Sequence, residues 1–118
     1  MTSDRMPSTG AQRESNGHRF GPRGEQVWRN NMRARAMGAR GRIRTRDWRR
    51  LLARVGYRCL RCGRHEREVG PLTIDHVMPL AAGGGNTIHD VQPLCSHCNQ
   101  GKGIACTDYR IPPMHFCN

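Results

Sequence analysis

The chain is poor in aromatic residues and almost without lysine. Only 5% of its 118 residues are Phe, Trp or Tyr, and Lys102 is the one lysine beside 19 arginines. Hydrophobic residues make up 36%, so the apolar core must be modest and calls for a staple such as a structural metal. No apolar run approaches membrane-spanning length, which argues against an integral membrane protein. The first residues, Met1-Thr-Ser-Asp-Arg-Met-Pro7, lack the apolar stretch of a secretory leader. A reducing, cytoplasmic setting is therefore expected, and Cys-x-x-Cys pairs there read as metal ligands, against a secreted disulfide framework.

Acidic residues are also scarce, and the net charge is +11. Its distribution says more than its size. Residues 1–67 hold 18 arginines against five acids, whereas residues 68–118 hold Lys102 and Arg110 against four. An arginine-rich, aromatic-poor half fits phosphate-backbone binding, because a guanidinium pairs with phosphate through two hydrogen bonds. Nucleic acid is the expected partner.

Residues 1–24 are rich in Gly, Ser, Pro and Arg without periodicity, and residues 1–44 read together as a disordered basic arm. Within it, residues 25–37 can form a short helix with Val27, Trp28, Met32 and Met37 as its apolar positions. A folded domain is expected over 45–105. Trp48, Leu51, Leu52 and Val55 fall at i, i+3, i+4 and i+7, which predicts a helix capped by Thr45 or Asp47 and stopped at Gly56, with Trp48 as its core anchor. Leu72–His76 alternates as a short strand, Gly83-Gly-Gly85 marks a loop, Val91–Leu94 is a second strand, and Ser96 to about Lys102 is a short helix. Residues 106–118 form an irregular tail in which Cys106, His115 and Cys117 are expected to be ordinary residues.

Two Cys-x-x-Cys pairs, Cys59/Cys62 and Cys95/Cys98, bracket the dipeptide Asp75-His76, and Asn99 follows the last cysteine. Four thiolates in this arrangement close a tetrahedral zinc site with no position open to substrate. The zinc would be structural and would clamp both ends of a segment carrying a carboxylate beside an imidazole.

The elements Cys59-Leu-Arg-Cys-Gly63, Leu72-Thr-Ile-Asp-His-Val-Met-Pro-Leu80, Gly83-Gly-Gly-Asn86 and Gln92-Pro-Leu-Cys-Ser-His-Cys-Asn-Gln-Gly-Lys102 resemble the zinc-stapled HNH endonucleases. The resemblance implies a small α+β fold: a ββα-metal core held by a four-cysteine zinc site, preceded by a helix and the basic arm. It implies double-stranded DNA as the partner and hydrolysis of its phosphodiester bonds, by nicking or double-strand cleavage, giving a 5′-phosphate and a 3′-hydroxyl. His76 would be the general base, while Asp75 and Asn99 would hold a catalytic Mg²⁺ or Mn²⁺. The family's central Asn aligns with Asp90, which either holds the loop or assists the metal and so joins the catalytic candidates. Asn86 can share the loop-holding task. His97 is expected to be exposed, and Lys102 to face phosphate or solvent. Small proteins resembling this one are often encoded by bacteriophages, and some act with the terminase packaging machinery. The alternative reading is a zinc-stapled nucleic-acid-binding protein without catalysis.

Overall fold

The computed structural model describes residues 21–115 and 117. Among the described residues, four α-helices and one antiparallel ribbon follow in the order α1 (Gly21–Ala36), α2 (Thr45–Arg54), α3 (Glu66–Val69), β1 (Thr73–His76), β2 (Val91–Leu94) and α4 (Ser96–Lys102), with two short 3-10 turns, Leu80–Ala82 and Ile88–Asp90, between the strands. The ribbon pairs Thr73 with Leu94, Ile74 with Pro93, Asp75 with Gln92 and His76 with Val91. Both strands are almost wholly buried, because α4 packs across the ribbon and the core lies against it.

That core joins Val27 of α1, Ile43, Trp48 and Leu52 of α2, Leu72, Ile74, Val91 and Leu94 around Cys59, Cys95 and Cys98. Trp48 is its largest fully buried side chain, as its helical spacing implies. Its indole Nε1 donates to Gln26 Oε1 at 3.0 Å, and Gln26 Nε2 donates onward to the Leu72 carbonyl at 2.8 Å. One glutamine thus ties α1 and α2 to the entrance of β1. The helix α2 begins without a side-chain cap at Arg44; Asp47 lies in its first turn, where its charge favours the helix dipole.

Residues 21–44 correct the expectation of a disordered arm over 1–44; residues 1–20 lie outside the described part. The helix α1 buries Gly24, Val27, Asn30 and Ala34, whereas Trp28, Met32 and Met37, three of the expected apolar positions, stay exposed. Small residues at 24 and 34 let the helix approach closely, and the buried Asn30 donates its Nδ2 to Asn86 Oδ1 at 2.9 Å across the interface. The link from α1 to α2 then lays Ile43 into the core.

The tail from residue 106 onward contains no helix or strand among the described residues, as expected, but it is not a loose appendage. Cys106 and Cys117 form a disulfide, which corrects the reading of both as ordinary thiols. Asp108 accepts hydrogen bonds from the Met114 and His115 backbone N–H groups and from the Arg110 side chain. Burial pushes the Asp108 carboxyl up, but those donors outweigh it and hold the group well below the usual carboxylate range.

Candidate active site and metal centre

The four cysteines of the two Cys-x-x-Cys pairs place their sulfurs within 4.8 Å of one another. Cys62 and Cys95 Sγ stand 4.0 Å apart, close to the edge of a tetrahedron with zinc–sulfur bonds of about 2.3 Å. Both pairs are built alike. The backbone N–H of Cys62 points at Cys59 Sγ at 3.5 Å, and that of Cys98 at Cys95 Sγ at 3.4 Å. Such N–H groups stabilise thiolates: burial raises the Cys59 thiol, yet backbone N–H groups of Cys62, Cys95 and Arg61 bring it down to about 7. Gly63 takes a left-handed φ of 76° and so turns the chain after the second thiolate, while Cys95 serves as N-cap of α4. The donor set and its geometry fit a structural zinc. His97, inside the second pair, is exposed, as expected.

Beside this cage, a cleft of ≈ 230 Å³ is lined by Asp75, His76 and Asn99 together with Arg33 of α1. Adjacent residues on a strand face opposite ways, so Asp75 and His76 meet different neighbours. On the His76 side, Nε2 lies 2.9 Å from Asn86 Oδ1. The tautomer follows from a chain of donors. Ile43 N–H donates to Asn31 Oδ1 at 2.9 Å, which fixes that atom as oxygen. Asn86 Nδ2 donates to the same oxygen at 3.0 Å, so the other end of the Asn86 amide, facing His76, is its carbonyl. His76 Nε2 must then carry the proton, and Nδ1 is left with its lone pair. Burial pushes the imidazole pKa below its usual value, assisted by the Arg33 charge and opposed by the Asn86 hydrogen bond, so the ring is neutral at pH 7.

On the Asp75 side, Oδ2 accepts from Gln92 Nε2 at 2.9 Å, its partner across the ribbon, and lies 3.3 Å from Lys102 Nζ. Burial raises the Asp75 carboxyl while Gln92 and Lys102 oppose the rise. Asn99 Nδ2 donates to Thr73 Oγ1 at 2.7 Å, and that hydroxyl donates to the Leu94 carbonyl at 2.7 Å. Because the hydroxyl proton is committed to Leu94, Asn99 must present its N–H₂ end to Thr73, which leaves its carbonyl oxygen for another partner.

Asp75, His76 and Asn99 are therefore brought together, whereas Asp90 is not. Asp90 Oδ2 accepts from Thr87 N at 2.8 Å and Thr87 Oγ1 at 2.7 Å in a reciprocal capping box, which gives it the loop-holding task and corrects its place among the catalytic candidates. The loop it closes leaves no room at Gly84, where a Cβ would stand 2.0 Å from the Met78 carbonyl oxygen. Lys102 faces neither phosphate nor solvent: its side chain is buried against Asp75, and Nζ also donates to the His76 carbonyl at 3.1 Å.

Sequence reasoning missed Gln92, Arg33 and the Asn30–Asn31 pair. Two adjacent asparagines inside a helix were the available signal, since Asn is a poor helix former and persists there when its amide is needed.

The HNH endonuclease family model matches residues 59–104, the span from the first cysteine of the cage to just beyond α4. The chain carries an HNH-family domain in that segment. No curated protein and no solved structure matches the chain.

Proposed function

We propose that the protein is a metal-dependent endonuclease that hydrolyses phosphodiester bonds in DNA. The observation that carries this reading is the His76 tautomer: a neutral imidazole held with Nε2–H on Asn86 and its Nδ1 lone pair unspent, in one cleft with Asp75 and Asn99. His76 Nδ1 takes the proton of the attacking water, and the Asn86 carbonyl stabilises the imidazolium that results. Arg33, on the same cleft, pairs with the phosphate flanking the scissile bond. The Asp75 carboxylate and the Asn99 carbonyl oxygen are hard oxygen donors, few enough to leave room for water and phosphate, and so fit Mg²⁺ or Mn²⁺. When bound, such a cation neutralises charge on the scissile phosphate. Exposed arginines on α2 (Arg46, Arg50 and Arg54) and on its approach (Arg40, Arg42 and Arg44) supply sequence-blind affinity for the duplex. By its likeness to small phage-type HNH proteins, the chain works in the bacterial cytoplasm, beside a packaging terminase that directs it.

One observation favours the second reading, a nucleic-acid-binding module without catalysis. The Lys102 ammonium already balances the Asp75 charge that a cation would use. Relaxation of supercoiled plasmid by wild type and His76→Ala, with and without Mg²⁺ or Mn²⁺, separates the two. Hydrolysis that needs metal, drops by roughly 10²–10⁴ in the variant and leaves DNA affinity intact is the expected result. Zinc-loaded, DNA-binding wild type that never nicks would favour the binding module, or an enzyme silent without its partner.

A further inference from the structure

A second group of metal-type ligands lies in the tail, outside the cage and outside the cleft. Cys106, His115 and Cys117 place their ligand atoms within 4.8 Å of one another. They line a cavity of ≈ 490 Å³ with Asp108 and Met114. His115 Nδ1 is buried and has no hydrogen-bond partner among the described residues. A buried imidazole nitrogen without a partner is rare and calls for one. Nor is the imidazole there by looseness of the chain, since the His115 backbone N–H donates to Asp108 Oδ2 at 2.9 Å and the Met114 N–H to the same oxygen at 2.7 Å. The loop is thus shaped to present this histidine to two sulfurs, and the disulfide does nothing to satisfy it.

We propose that in the reduced chain Cys106, His115 and Cys117 bind a second zinc ion. Two thiolates and an imidazole suit this borderline-soft cation, and three protein ligands leave the fourth position to water. The Cys106–Cys117 disulfide and the zinc-bound state are alternatives, because both use the same two sulfurs. A phosphine converts one into the other. The S–S bond breaks, the phosphine takes the oxygen of water to become its oxide, and the two sulfurs gain the protons. Zinc binding then releases these protons from the thiols. In a cell a dithiol does the same and leaves as its own disulfide. Occupancy also reaches the cleft: the Thr107 carbonyl and the Tyr109 N–H of this loop hold Gln92 at 2.8 Å each, and Gln92 holds Asp75.

The test uses the full chain, with zinc counted by native mass spectrometry and elemental analysis before and after phosphine reduction. Two zinc ions per reduced chain and one per oxidised chain are expected. Cys106→Ser with Cys117→Ser should hold one ion in both conditions. In His115→Ala the second ion should bind at least tenfold more weakly while the first is untouched. Cobalt titration adds a spectroscopic signature: the second equivalent should bring about half the thiolate-to-cobalt absorption of the first, two thiolates against four. A wild-type chain whose tail sulfurs are shown by mass to be free thiols, and which still stops at one ion, overturns the proposal. So does a His115→Ala chain that binds two ions with wild-type affinity, a readout that holds even where the double variant fails to fold.

Discussion

Two regions of the molecule contribute to one cleft in different ways. Residues 59–104 carry Asp75, His76 and Asn99, and they bring their own scaffold in the four-cysteine cage. Residues 21–44 carry none of those three groups, yet they decide what His76 can do. The backbone N–H of Ile43 orients Asn31, Asn31 orients Asn86, and Asn86 sets the imidazole tautomer. Asn30 adds a second donor to the same Asn86 carbonyl at 2.9 Å. The HNH-like segment thus gathers Asp75, His76 and Asn99 on one cleft, but in this chain the tautomer of His76 is determined from outside that segment.

The sharpest way to break this division is to remove the cage. Cys59→Ser or Cys95→Ser should abolish the folded 59–104 module, because zinc affinity and folding free energy are the same quantity at such sites, on the order of 10 kcal/mol. Thermal melting followed by circular dichroism checks this, and a cooperative native-like melt in the zinc-free variant would contradict it.

Removing the relay instead should spare the fold and impair the chemistry. Asn86→Ala is expected to lower the rate of DNA nicking roughly 10–100-fold, the range for groups that orient a functional side chain. Asn31→Ala, one step further from the base, should act in the same direction more weakly. Equal rates for wild type and both variants would show that α1 does not control the base.

The pH dependence sharpens the comparison further. His76 has a folded-state pKa below its unfolded value of about 6.5, chiefly through burial. The proton-accepting form therefore persists below pH 6.5, and the acid limb of the nicking rate should lie under that value. Stability carries the same sign: between the two pKa values the unfolded chain binds more protons, so stability is complete above about pH 6.5 and is lost as pH falls through that window. Asn86→Asp places a negative charge beside Nε2–H and should move the acid limb upward, read from the rate profile. An unshifted profile would mean that another group titrates.

The smallest expected effect lies in the tail. Asp108 holds its proton far less tightly than a free carboxyl because Arg110 and two backbone N–H groups donate to it. Its contribution to stability is present above about pH 4 and lost as pH falls. Asp108→Asn should lower the melting temperature by a few degrees at neutral pH, worth about 1 kcal/mol, and by less in acid. An equal loss at both pH values would show that its charge is not what orders the loop.

Much of this molecule was written locally in the chain. The cysteine spacing announced the cage, the helical periodicity around Trp48 announced α2, and the short alternating runs placed β1 and β2 to within a residue. Each of these signals is set by near neighbours: turn chemistry, side-chain period and ligand spacing act over a few residues. The Asp75-His76 pair and Asn99 were legible for the same reason, as residue types in a motif. What the sequence could not disclose depends on which surfaces meet. The helix α1 looked like a poor amphipathic segment in a disordered arm because its buried face includes Gly24, Asn30 and Ala34, residues that carry little hydrophobic signal. It packs where Asn86, far along the chain, accepts a hydrogen bond from Asn30 Nδ2, while Asn30 Oδ1 is left without a partner among the described residues. Asp90 and Lys102 had the chemistry of site residues, and only the tertiary structure showed one closing the loop and the other neutralising Asp75. The identity of the groups was a property of the chain; the atom of His76 that holds the proton is a property of the packed structure, because a tautomer is decided by the donor or acceptor that long-range packing places against it.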